Sequence, residues 1–318
     1  MGYKADGTTQ YGNGTADVYL FGGTIHNAFG GSNTKGNIRG NAEVHIDEAK
    51  DGTGAPICPL ELEEVYGGGN EAEMHGGSGI DLGCISKLKA LYGGAKNANV
   101  GDDIILNITS GHYDRVFGGN NIGGTISGSI TINIEETGCH PITIGELYGC
   151  GNQAAYTTPT SKTHPTINIK SFTSIGRVFG GGLGASATVT GNPLVNINEV
   201  VGDLAGENSA YAGASMTEAQ RTITLPDGTT VTLPAHTKNK IGAIGTVFGG
   251  GNAAKVVGSP TVKIGTEATV DFVTMAKNET TPRTGVTVVG ADITGDVFGG
   301  GNQAEVTGNS NVTIGKNQ

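Results

Sequence analysis

The chain has 318 residues, a formal net charge of −10, only 15% charged residues, 57 glycines and 10 prolines. An acidic balance with no basic cluster gives no electrostatic hold on nucleic acid, and no apolar run is long enough to span a membrane as a helix. Glycine this abundant without a Gly-X-Y period excludes collagen, and the many alternating Val and Ile residues are the reverse of a disordered composition.

Residues 1–28 show no regular spacing. Phe21-Gly-Gly stands too close to Phe29-Gly-Gly for both to open repeats, so an irregular start is expected there. From Phe29 an aromatic followed by glycines recurs at Tyr66, Tyr92, Phe117, Tyr148, Phe179, Phe248 and Phe298. The fullest copies read VYGGGNEA, VFGGGNAA and VFGGGNQA, and the shortest spacings define a repeat of about 25 residues. Between them apolar residues alternate: Val44 and Ile46; Ile104, Leu106 and Ile108; Ile130, Ile132 and Ile134; Val195 and Ile197; Val262 and Ile264; Val312 and Ile314. Period two with β-branched residues predicts strands.

Each copy is too short and too rich in glycine to bury its own core, so copies must bury one another by stacking. The expected fold is all-β: a parallel β-helix, or β-solenoid, with three short strands per coil of about 25 residues. It is taken as right-handed by analogy with most parallel β-helices. One domain is expected over residues 1–318, cut from a longer chain, since no capping segment is seen at its end. Loops at 47–62 and 75–89 and a threonine-rich bend at 154–165 interrupt it. Larger insertions are an arm at 202–243, with a hairpin at 222–233 turning on Pro226-Asp227-Gly228, and a second at 266–291.

Three columns follow from stacking. Glycines at the corners permit positive φ and close approach of neighbouring backbones. Asn70, Asn97, Asn121, Asn152, Asn252 and Asn302 recur near one corner, where an inward ladder of amides would satisfy buried backbone groups; solvent-facing turns are the alternative. The aromatic column either fills a corner of the core or stands outside as a platform for sugar rings. Burial explains its regularity without a ligand and is the expectation. Before the Val-aromatic pair stand Glu64, Arg115, Glu146, Arg177, Thr246 and Asp296. These are expected to be exposed, alternating in sign at Arg115, Glu146 and Arg177 and helping to set register.

No constellation for catalysis or metal binding emerges. Cys58, Cys84, Cys139 and Cys150 fit no metal spacing. Cys150 replaces a motif glycine as a small buried filler, and spacing alone leaves a pairing of Cys139 with Cys150 open. Asp102 and Asp103 are adjacent, so in a strand they would face opposite ways. His112-Tyr113-Asp114-Arg115, the densest polar cluster, reads as the exposed start of a strand. Gly249-Gly250-Gly251 lacks the Lys-Ser/Thr of a phosphate loop and recurs in copy after copy, which marks architecture.

The VFGGGNxA and VYGGGNEA motifs with their alternating continuations resemble the glycine-rich repeats of adhesin-like surface or secreted proteins of gut-dwelling anaerobic bacteria. The resemblance runs from Phe21 to the end, leaving out the arm at 202–243. It implies an extracellular or cell-surface location and a binding or scaffolding task, and brings no catalytic residue. The expectation is a noncatalytic structural or adhesive segment without cofactor: a rigid stalk whose insertions contact a host or bacterial surface glycan or protein. The alternatives are a carbohydrate-active enzyme (polysaccharide lyase or glycoside hydrolase), marked by a groove with at least two carboxylates and open aromatics, and a filament subunit that self-associates through its coil ends.

Overall fold

A computed structural model describes residues 14–136, 140–200, 217–237, 241–266 and 288–315, with backbone alone at 199, 200 and 288–290. Among the described residues there are strands and no helix. Up to Phe179, the long strands alternate between two parallel sheets. The first sheet runs Ala16–Leu20, Ala42–Ile46, Ser78–Leu82, Ile104–Ile108, Ile130–Glu135, Thr166–Ser171, Leu194–Ile197, Thr261–Ile264 and Asn311–Ile314. The second runs Gly23–Phe29, Leu60–Tyr66, Lys87–Tyr92, His112–Phe117, Thr143–Tyr148, Ser174–Phe179 and Ala243–Phe248, then the short strands Asp292–Ile293 and Val297–Phe298. A third, smaller parallel sheet joins Tyr156–Thr157, Val189–Thr190 and Val256–Val257.

Alternation fixes the register. Val44, Ile80, Leu106, Ile132, Ile167, Val195, Val262 and Val312 pair in sequence across the first sheet. All but the last are buried. A slip of one residue would turn this whole row to solvent. Residues of both sheets, such as Val44 and Ile80 from one and Leu62 and Val65 from the other, share one apolar core.

The strands Ala16–Leu20 and Gly23–Phe29 already belong to the two sheets, so the irregular start expected over 1–28 holds for none of its described strands. Sheet pairing is a tertiary property that aromatic spacing does not report. Phe21 is 52% exposed and stacks beside Tyr19, outside the aromatic column. Residues 1–13, 201–216, 238–240 and 267–287 lie outside the described residues, and with them most of the insertion at 266–291 and part of the arm.

The column itself is continuous. Phe29, Tyr66, Tyr92, Phe117, Tyr148, Phe179, Phe248 and Phe298 stack ring on ring, with centroids 4.7–5.0 Å apart and planes within 3–11°. That separation is the spacing of neighbouring strands. The residue before each of six rings (Val65, Leu91, Val116, Leu147, Val178, Val247) enters the main core. The rings Tyr66, Tyr92, Phe117, Tyr148, Phe179 and Phe248 form their own buried cluster with Ala90, flanked by half-buried Phe29 and Leu183. Phe298, the last ring, is 44% exposed, so the expected burial holds for the column short of that end. Adjacent residues on a strand face opposite ways, so both are buried because the rings pack on one another and on Ala90 and Leu183 on the second side.

Those glycines are there for proximity. A Cβ on Gly67, Gly93, Gly118, Gly149, Gly180 or Gly249, each directly after a ring, would stand 2.3–2.5 Å from the carbonyl oxygen of the corresponding glycine one strand on. None of these six has positive φ, so the left-handed corners expected at the motif are not its reason for glycine.

Candidate functional site

Charge and glycine share the outer face of the second sheet. His26, Glu63, Lys89 and Asp114 occupy one row, and His26 Nδ1 and Lys89 Nζ reach Glu63 at 2.6 and 2.5 Å. In the next strands the same row becomes Gly145, Gly176 and Gly245. The hairpin Arg221–Thr224/Thr230–Leu233, close to the expected 222–233, lies on this bare strip. A Cβ on Gly145 would come within 2.6 Å of Ile223 Cδ1, and one on Gly176 within 2.6 Å of Val231 Cγ2. Leu225, Val231 and Leu233 are buried beneath it. These glycines carried no mark of function in the sequence, although IGELYG, IGRVFG and IGTVFG repeat them in register.

The arm also buries the charges beside the strip. Arg115 and Glu146 are 8% and 1% exposed, which corrects the expectation of an exposed row. The alternation of sign is real. Arg115 Nε donates to Glu146 Oε2 at 2.8 Å, and its NH2 group donates to Asp227 Oδ2 of the hairpin turn at 2.7 Å. Arg177 approaches Glu146 Oε1 at 2.8 Å in an ionic contact. Burial works against the Arg115 charge, but Glu146 and Asp227 hold its pKa above the ordinary value. Partial burial pushes Asp227 up, yet the Thr229 hydroxyl and amide and Arg115 together hold it down at about 2.

His112-Tyr113-Asp114-Arg115 is likewise no exposed strand start. Tyr113 is buried, and His112 Nδ1 lies 2.6 Å from Thr143 Oγ1 below Arg221. Burial, then the Arg221 charge, lowers the His112 pKa to about 4, so the imidazole is neutral at pH 7. Beside the arm a groove of about 580 Å³ is lined by Arg177, Gln220, Thr230, Thr232, Thr246 and Thr294, among others.

Of the corner asparagines, only Asn121 is buried. The amide ladder is broken into pairs: Asn70 donates to Asn33 at 2.8 Å, Asn152 to Asn121 at 2.9 Å and Asn302 to Asn252 at 3.0 Å. Asn121 and Asn252 donate in turn to the hydroxyls of Tyr66 and Tyr148, at 2.8 and 3.2 Å. The Tyr66 hydroxyl in turn donates to Glu64 Oε2 at 2.8 Å, so this buried phenol both donates and accepts. Asn97 joins only by its backbone, to Asn70 O at 2.8 Å. A longer row runs on the first sheet, where Asn107 donates to Asp81 at 2.7 Å, Asn133 to Asn107 at 2.9 Å, Asn168 to Asn133 and Asn196 to Asn168 at 3.0 Å each.

A second groove, of about 310 Å³, lies on that sheet among Glu43, Asp81, Asp102 and Asp103. Asp102 and Asp103 are not split to opposite sides: Lys162 Nζ reaches both, at 2.5 and 2.9 Å. Burial, then Asp81, raises the Glu43 pKa. Tyr19 is 58% exposed and stacks on His45, whose strand neighbour is Asp81.

Glu136, 1% exposed, accepts Ile142 N at 2.7 Å and the Thr173 hydroxyl at 2.9 Å. Burial nevertheless pushes its pKa up to about 7. The folded chain then holds a proton that the unfolded chain, at the ordinary 4.5, has released. Stability therefore falls as pH rises from about 4.5 to about 7, by up to ~1.4 kcal/mol per unit. Glu136→Gln should remove this slope and unfold at higher urea than the parent at pH 8, which midpoints at about pH 5 and 8 would check.

Cys58 and Cys150 are free, the latter buried as expected, and Cys84 is disulfide-bonded. This rules out the pairing of Cys139 with Cys150; Cys139 itself lies outside the described residues. Beside Cys84 stand Glu48 and His140, where no metal-ligating group was expected. No family profile, no curated protein and no solved structure matches this chain.

Proposed function

We propose that the chain is a noncatalytic segment of an extracellular or cell-surface protein, wound as a right-handed parallel β-helix, that holds out the hairpin arm for binding. The alternation of strands between two parallel sheets that share a core supports the winding. The seated arm carries the functional reading. Glycines are kept bare to receive it, a buried ion network pins its turn, and the groove at its flank is lined by hydroxyl, amide and guanidinium groups. Such a lining suits the hydroxyls of a glycan better than an apolar ligand. A disulfide at Cys84 suits an oxidising compartment.

The acidic groove favours a second reading, a carbohydrate-active enzyme. Glu43 with its raised pKa would be the acid and Asp81 the second carboxylate, with exposed Tyr19 nearby. One experiment separates the two. The whole chain is presented to a glycan array, and the glycans bound are incubated with it and assayed for cleavage. The binding reading expects capture that drops at least about tenfold in Thr232→Trp, which fills the groove, with no cleavage. Cleavage abolished by Glu43→Gln and indifferent to Thr232→Trp would move the function to the acidic groove. Capture unchanged by Thr232→Trp would remove the arm's groove as the site.

A further inference from the structure

Glu48, Cys84 and His140 come from three separate segments, yet one ligand atom from each lies within 4.8 Å of the other two. The backbone fixes all three. Glu48 N donates to Cys84 O at 2.7 Å, Cys84 N to Asp47 Oδ1 at 2.8 Å, and His140 N to Ser110 Oγ at 2.9 Å. The Glu48 side chain is 1% exposed. Its Oε1 accepts Leu60 N and its Oε2 the Ser86 hydroxyl, both at 3.2 Å. His140 Nε2 stands 3.9 Å from Glu48 Oε2, too far for a hydrogen bond, and 3.5 Å from the same Ser86 hydroxyl, a long contact.

An intervening ion would draw the three ligand atoms, now within 4.8 Å of one another, closer together. Donors on a tetrahedral zinc lie roughly 3.3–3.6 Å apart, given bonds of about 2.0–2.3 Å. Carboxylate, imidazole and thiolate are all zinc ligands. The sulfur of Cys84 is held in a disulfide, however, which is uncharged and a poor donor; the thiolate is the form that binds metal.

We infer that the Cys84 disulfide masks a zinc site: reduction by a dithiol frees Cys84, which with Glu48 and His140 then binds one Zn²⁺. The dithiol's thiolate attacks the disulfide, and two electrons and two protons pass to the protein. The S–S bond becomes two thiols as the reductant closes its own disulfide. On binding, the Cys84 thiol loses its proton to water and its sulfur lone pair goes to the metal, with neutral His140 and ionised Glu48 as the other donors. The His140 side chain is 34% exposed, which gives an ion a way in and leaves a fourth position for water.

The test uses the whole chain in a Cys58→Ser background, which removes the exposed free thiol. Zinc chloride is titrated against a chromophoric chelator, before reduction and after reduction with dithiothreitol and its removal under argon. The expected result is one zinc per reduced chain, bound at least about 100-fold more tightly than by the oxidised chain, and a thiolate-to-metal charge-transfer band when cobalt replaces zinc. His140→Ala leaves the disulfide and its thiols in place. In the reduced state it should weaken zinc at least about tenfold, as should Glu48→Gln. Equal affinity in both redox states overturns the inference. So does tight binding that ignores His140→Ala, which would be binding by thiols alone, and so does loss of the β-sheet circular dichroism on reduction.

Discussion

Gly149→Ala should destabilise the protein by about 3 kcal/mol or more, at the upper end of what overpacking costs. The added methyl would stand 2.3 Å from Gly180 O, and its obstacle is backbone held in the ladder. No rotamer change relieves it, and moving the strand would break the ring stack of Tyr148 on Phe117 and Phe179. Gly300→Ala is the control. It alters the same motif where nothing lies within 4 Å of a new Cβ, and φ is not left-handed. That variant should be neutral or gain up to about 1 kcal/mol through the unfolded chain. Urea midpoints for the two would decide. Equal midpoints would mean that neighbouring backbones are not in close contact at the motif.

Glu146→Leu should cost about 3–5 kcal/mol, because it leaves the guanidinium groups of Arg115 and Arg177 facing each other without the buried carboxylate between them. Charge can be separated from packing. If unpaired charge is the cause, adding Arg115→Met and Arg177→Met to Glu146→Leu should recover most of the loss, since a buried ion cluster can often be replaced by apolar side chains at little cost. Should the triple variant be worse than the single one, the ion network would be a net stabiliser in its own right. Denaturant unfolding of the parent, single and triple variants measures both outcomes.

What could be read from the sequence divides along one line. The rows that depend on one residue type recurring in register were legible: the aromatic column, the period-two strands and the alternation of Arg115, Glu146 and Arg177. Their surroundings were not. Arg115 and Glu146 are buried by a hairpin that follows some hundred residues later, and no local pattern tells a row of charges that it will be roofed. The glycines receiving the roof look like any others until a partner is known. Asn107, Asn133, Asn168 and Asn196 stand in plain alternation with apolar residues, a pattern that marks strands but not the bonds between their amides, whereas the corner asparagines share a motif and their ladder is broken. Over residues 16–28 of the expected irregular start, aromatic spacing is a weaker guide than strand pairing. The Glu48–Cys84–His140 cluster joins segments with no common spacing, so nothing in linear order announces it.

The asparagine row on the first sheet has an orientation that its own residues do not choose. A carboxylate can only accept, so Asp81 obliges Asn107 to turn its NH₂ group toward it. That leaves the Asn107 carbonyl to receive Asn133, and the same constraint passes to Asn168 and Asn196. The side-chain amides thus line up head to tail, and their dipoles add as peptide dipoles do along an α-helix. Asp81 sits at the positive end of this row, as an acidic cap sits at a helix N-terminus. One anionic residue polarises a line of neutral side chains running across four strands, giving that row of the β-sheet surface a direction.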